Sequence, residues 1–245
     1  MPRVWTGALG LGAVLLLTGC GAKTHYNPFR VPPEQLRSQV KVLALMPMDA
    51  PQNLEDPSTA TRTMLHIIEA ALRSAGLSVV PADEVKVIWD SVAAQRTGFY
   101  DPRTGARDQE KLKAFRMDVY RELKARFAID ALLFSRLAVV EAKLERDKAR
   151  WDGTSEGASR KGFWKAVLGV SHSGTIPALS LQLFLLDTDE GELYVNSGGI
   201  QVLGKVDPAG NFNAVSREQL FSRADRNVRA VNLALNPFLG RATKE

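Results

Sequence analysis

The chain has 245 residues, 45% of them hydrophobic, with 32 Lys and Arg against 27 Asp and Glu and a single cysteine. A formal charge of +5 on this length is mild: it points at most to anionic lipid, lipopolysaccharide or peptidoglycan contact, and to no nucleic acid. One cysteine excludes an intramolecular disulfide, so the hydrophobic core alone must hold the fold, and the length suffices for one or two such cores.

Residues 1–19 have the three parts of a secretory signal peptide. Arg3 supplies the positive start, and Val4 to Leu17 is free of charge. The run is too short for a membrane-spanning helix, which needs about 20 apolar residues. Gly7, Gly10 and Gly12 weaken it further. Leu17-Thr18-Gly19-Cys20 resembles the lipobox of bacterial lipoproteins. That resemblance implies a diacylglycerol on the Cys20 thiol, cleavage before Cys20, and a fatty acyl chain such as palmitate on the new amino group. Each buried methylene adds about 0.8 kcal/mol and one chain anchors only marginally, so two or three chains give a firm membrane attachment. Gly21, where Asp would favour inner-membrane retention, points to the outer membrane of a diderm cell, facing the periplasm.

Residues 20–39 read as a lipidated tether: Pro28, Pro32 and Pro33 stand among polar residues with no sustained period. Extended, it would lift a domain several tens of ångströms from the headgroups (on the order of 3.3–3.6 Å per residue).

The domain is expected over residues 40–240. Val40 to Pro47 is a nearly continuous apolar run, which suits a strand buried on both faces. After a loop, Ser58 or Thr59 is the expected cap of a helix with Met64, Leu65, Ile68, Ala71, Leu72 and Ala75 inward, closed by Gly76. Leu77 to Pro81 is a second strand, most simply parallel to the first. Ala82 to Gln95 is a shorter helix burying Val85, Ile88, Trp89 and Val92. Asp108 caps a third helix with Leu112, Phe115, Val119 and Leu123 on one face. Asp130-Ala131-Leu132-Leu133-Phe134-Ser135 opens a third strand.

From Val139 the character changes: Glu141 to Arg150 alternates charged and small residues, and Asp152 to Gly174 is rich in Gly, Ser and Lys. Pro177 to Leu186 and Glu192 to Leu203 form a β-hairpin around an acidic turn whose Gly191 is expected at positive φ. Ser216 to Gln219 reads as a capping box. The last helix should bury Leu220, Ala224, Val228, Val231 and Leu235 and stop before Pro237. The order β-α-β-α-α-β-β-β-α predicts a single α/β domain with a mixed β-sheet covered by helices.

Four segments carry a family resemblance: Lys41 to Pro47, Ala75-Gly76-Leu77-Ser78-Val79-Val80-Pro81, Asp130-Ala131-Leu132-Leu133-Phe134-Ser135, and the Asp187…Gly191-Glu192-Leu193 turn. The chain resembles, over residues 40 to 235, a class of bacterial envelope lipoproteins. The class holds the curli-secretion-channel lipoprotein, the penicillin-binding-protein activators and the N-terminal domain of the Tol–Pal translocation protein. The resemblance implies a non-enzymatic role in the cell envelope, as a pore subunit or as a partner of synthases and envelope proteins. The pore role fails on the residues. A membrane β-hairpin needs every second residue apolar over ~9–11 positions. Here one alternate set is Glu141, Lys143, Glu145 and Asp147, and the other is Ala142, Leu144, Arg146 and Lys148.

No catalytic constellation emerges. His25, His66 and His172 lack metal-ligand spacing, so neither a metal nor another cofactor is expected. Adjacent residues in Ser171-His172-Ser173 would point apart. Asp187, Asp189 and Glu190 could suggest Ca²⁺, but a hairpin turn explains them. Asp101 to Gly105 reads as a turn. The segment from Arg150 to Lys165 interleaves cations with aromatics. Trp151, Phe163, Trp164 and Lys165 are candidates for contact with a partner or a membrane, against the plainer reading that the aromatics cover a sheet edge.

The sequence therefore points to a non-enzymatic envelope protein, held to the membrane through lipid on Cys20. It would bind or scaffold an envelope protein partner. An oligomeric export-complex subunit and, less favoured, an envelope hydrolase are the alternatives.

Overall fold

A computed structural model describes residues 26–51, 54, 56–96, 98–99, 103–145, 148–157, 174–206, 212–216 and 219–242. Five helices and nine strands are assigned among them. In chain order they are α1 (Pro33–Gln39), β1 (Val42–Leu45), α2 (Pro57–Ser74), β2 (Ser78–Val80), α3 (Ala82–Ala94), α4 (Gln109–Phe127), β3 (Ala131–Glu145), β4 (Lys148–Trp151), β5 (Thr154–Gly157), β6 (Gly174–Leu186), β7 (Glu192–Val202), β8 (Gly204–Val206), β9 (Phe212–Ala214) and α5 (Ala224–Leu239). The mixed α/β architecture is the one the sequence predicts, with four more strands and one more helix.

The main sheet runs β2-β1-β3-β6-β7. Strand β1 is parallel to both β2 and β3, and β3, β6 and β7 are antiparallel neighbours. Strand alternation sends successive side chains to opposite faces. Leu43, Leu45, Leu133, Leu137, Leu181 and Leu183 therefore meet α2 and α5 on one side. Ala44, Met46 and Leu132 meet Ile88 of α3 and Phe115, Val119 and Leu123 of α4 on the other.

Strand β3 runs ten residues past Ser135, to Glu145. Its charged residues alternate with small ones because only one set is covered: Ala142 of β3 and Ala149 of β4 are wholly buried, while Lys143 and Arg150 point outward. Strands β4 and β5 are a hairpin, with Trp151 opposite Thr154. This hairpin covers a third cluster of Ala142, Ala149, Trp151, Ile176, Ala178 and Val202.

Local signals differ from expectation at four places. The cap of α2 is Asp56, whose carboxylate accepts from the Thr59 amide at 3.0 Å, while Ser58 Oγ donates to that same carboxylate. These bonds hold the Asp56 carboxyl down at about 2, far below the ordinary carboxylate range. In the β6–β7 turn the positive φ falls on Glu190 (66°) and not on Gly191. Helix α5 begins at Ala224 rather than near Ser216; the expected capping box includes Arg217 and Glu218, which lie outside the described residues. Its buried stripe is Asn227, Ala230, Val231, Ala234, Leu235 and Phe238, and Val228 is 43% exposed.

Helix α5 also passes through Pro237 to Leu239. Proline lacks the amide that would bond the Leu233 carbonyl. Asn196 Nδ2 on β7 donates to that carbonyl instead at 3.1 Å, and to Ala234 O at 3.2 Å. A partner from the sheet thus replaces the missing donor.

Candidate functional site

The expected lipidation site Cys20, the signal peptide 1–19 and the start of the tether lie outside the described residues, as do Phe163, Trp164, Lys165, His25 and His172. What the structure describes is most of the segment expected to join the anchor to the domain. This segment is not a free tether.

From Tyr26 onward the chain is docked. Phe29 pairs antiparallel with Tyr194 on the outer edge of β7. The Val195 amide donates to Pro28 O at 2.8 Å and the Arg30 amide to Leu193 O at 3.0 Å. Tyr26 Oη donates to Val195 O at 2.8 Å. Three or four residues thus extend the sheet by a short added strand and cover part of an open edge. Phe29, Tyr194 and Phe238 then stack in series, with ring centroids 5.1 and 5.8 Å apart. Helix α1 follows and buries Leu36 to 1% exposure, and Val40 closes its end.

Arg37 fastens α1 to α5. Its Nε donates to Phe238 O at 2.9 Å and its Nη2 to Pro237 O at 2.8 Å. These carbonyls belong to the last turn of α5, where Pro237 O also accepts from the Gly240 amide at 3.3 Å, and a cation there complements the helix dipole. The same guanidinium sits 5.8 Å over the Phe29 ring. Tyr194 Oη donates to Ala234 O at 2.6 Å, and burial pushes its pKa well up. The boundary expected at residue 39 is therefore moved: residues 26–39 belong to the folded domain. Only five residues separate Cys20 from the docked Tyr26.

Trp151 is placed inside, not on a contact surface. It is 7% exposed and its indole Nε1 donates to Leu179 O at 3.0 Å. It lies against Gly199, where a Cβ would come within 2.6 Å of Nε1. Of the four aromatic and basic contact candidates this one covers the sheet, as the plainer reading has it.

The acidic turn is a clamp. Asp187 Oδ1 accepts from the amides of Asp189 at 2.9 Å and Gly191 at 2.7 Å. Glu190 accepts from Arg116 of α4 at 2.6 and 3.3 Å, within reach of Tyr120 Oη at 3.5 Å. The hydrogen bond from Arg116 lowers the Glu190 pKa, and burial foremost pushes Tyr120 up to about 12. Glu190 thereby ties the hairpin turn to α4. Among the described residues no group of three or more His, Cys, Asp or Glu could hold a metal ion, and His66 is an exposed residue of α2. No helix among them is long and apolar enough to cross a membrane.

No protein-family model and no curated protein matches the chain. Solved structures that resemble it include the lipoprotein GNA1162 from Neisseria meningitidis, 16% identical, with 76% of this chain and 96% of that one covered at a TM-score of 0.32. The PelC dodecamer from Paraburkholderia phytofirmans is 10% identical, covering 83% and 91% at a TM-score of 0.33. A point variant of that PelC is 9% identical, covering 82% and 90% at 0.35. Likeness at this level carries no argument about function.

Proposed function

We propose that this chain is a lipid-anchored protein of the bacterial cell envelope that works without catalysis, as a binding, scaffold or assembly factor. The observation that carries the reading is the Leu17-Thr18-Gly19-Cys20 run at the end of an uncharged, signal-like segment. The docked arm supports it: a chain fixed from Tyr26 onward leaves a short, defined link between lipid and domain. Cys20 concentrates the domain at a membrane surface, and the domain presents its faces to an envelope partner there.

The test is fractionation of cells carrying the wild type or Cys20→Ser, followed by in-cell crosslinking and identification of the captured proteins. The reading predicts membrane-bound wild type with a reproducible envelope partner, and loss of both in Cys20→Ser. Equal membrane association of the two would contradict the anchor. Turnover of peptidoglycan or lipid substrates by the purified protein would contradict the non-enzymatic role.

A further inference from the structure

The sheet gives the anchor a direction. Residues 28–30 run antiparallel to β7, which itself runs from Glu192 toward Val202. Moving back along the chain from Arg30 to Tyr26 therefore leads toward the Val202 end of the sheet. At that end lie the end of β3 at Glu145, the start of β4 at Lys148, the open end of the β4–β5 hairpin at Gly157, the start of β6 at Gly174, and β8. The opposite end carries the β6–β7 turn and the last turn of α5.

Length adds a second constraint. The six residue-to-residue steps from Cys20 to Tyr26 span at most about 22 Å when fully extended, at ~3.3–3.6 Å each. Strand β7 continues from Val195 to Val202, about 24 Å at ~3.4 Å per residue. The link is thus no longer than the strand it leads along. A Cys20 seated among headgroups brings the Val202 end to the same surface.

Charge is the third observation. The exposed residues on the strands of this end include Lys143 of β3, Lys148 and Arg150 of β4 and Lys205 of β8, against Glu141 and Glu145 of β3. Glu145 already pairs with Arg150 at 3.2 Å, and Glu156 of β5 pairs with Arg226 at 2.8 Å. The remaining lysines suit anionic lipid phosphates, which attract basic groups next to a membrane attachment.

We infer that the Val202 end of the sheet, with Lys143, Lys148 and Lys205, lies against the headgroups of the bilayer that holds the Cys20 lipid. The β6–β7 turn then faces away from it. The inference rests on the proposed anchor at Cys20. It adds an orientation that the anchor alone does not fix.

The experiment uses the full-length acylated protein in vesicles containing anionic phospholipid. Acylated Cys20 holds its sulfur as a thioether, so a fluorophore reacts only with an introduced thiol, at Lys148→Cys or at Asp189→Cys. Both positions are exposed, one in β4 and one in the β6–β7 turn. Headgroup-spin-labelled lipid is expected to quench the probe at 148 at least about twofold more than the probe at 189. A Gly/Ser segment inserted after Ala22 should remove the difference. Equal quenching in the parent, or stronger quenching at 189, would overturn the orientation. The mass of the N-terminal peptide, read on the same sample, separates the two claims. Acylated Cys20 with reversed quenching leaves the anchor standing and defeats only the orientation, whereas unmodified Cys20 defeats both.

Discussion

At Gly198 and Gly199 the sheet is pinched between two layers. A Cβ on Gly198 would overlap the Ala230 carbonyl of α5, and one on Gly199 would meet Trp151 and Thr154 on the opposite face. Helix α5 and the β4–β5 hairpin can approach β7 this closely only because both side chains are absent. Gly198→Ala and Gly199→Ala should each cost about 1–3 kcal/mol through overpacking, lowering the thermal midpoint by roughly 2–12 °C in a scan. Gly157→Ala, with no atom within 4 Å of the added Cβ, should leave it unchanged. Removing the Trp151 ring should cost about 3–5 kcal/mol in chemical denaturation, the range for large-to-small core changes. Acid acts at Glu190 and Asp56. Their carboxyls are held below their ordinary values, so the stability they contribute is fully present above those values. It is lost as pH falls through the lowered ones, for Asp56 between its usual 3.8 and about 2. In an NMR titration, Arg116→Ala should move the Glu190 midpoint upward; an unmoved midpoint would show that Arg116 is not its cause.

At the scale of elements, the N-terminal arm is held by few contacts of high leverage. Phe29→Ala removes one ring of the Phe29–Tyr194–Phe238 stack and the surface under Arg37, and Arg37→Ala removes the side-chain donor to two carbonyls at the end of α5. Either change should speed hydrogen exchange at the Arg30 and Val195 amides while β1 and β6 keep their protection. Protection unchanged at those two amides would refute the docking. This arm was hard to read in the sequence because Pro28, Pro32 and Pro33 look like linker, and the partners of Phe29 and Arg37 lie far along the chain. Elements built on periodicity were legible: β1, α2, β2, α3, α4 and the β6–β7 hairpin fall close to where their apolar patterns put them. The end of α5 was not, since Pro237 removes a donor locally and Asn196 of β7 supplies one from another element. The far half of β3 was hidden for a similar reason. Its one fully buried residue is Ala142, and its cover is the β4–β5 hairpin.

For the whole molecule, the anchor and the domain have to be considered together. The lipobox-like Leu17-Thr18-Gly19-Cys20 run gives the proposed place of attachment, and the docked arm would make that attachment short. With the proposed lipid on Cys20, the five residues between Cys20 and Tyr26 would hold Tyr26 within about 22 Å of the lipid surface, at ~3.3–3.6 Å per residue step. A partner of the anchored domain would then meet it close to the headgroups. None of this follows if Cys20 is not the first residue of the mature chain. The mass of the N-terminal peptide from membrane-extracted protein is the most direct measurement of that point. The account predicts a peptide beginning at Cys20 and carrying a diacylglycerol with at least one further acyl chain, and no such peptide from Cys20→Ser. A peptide that still contains residues upstream of Cys20, or an unmodified cysteine, would contradict it.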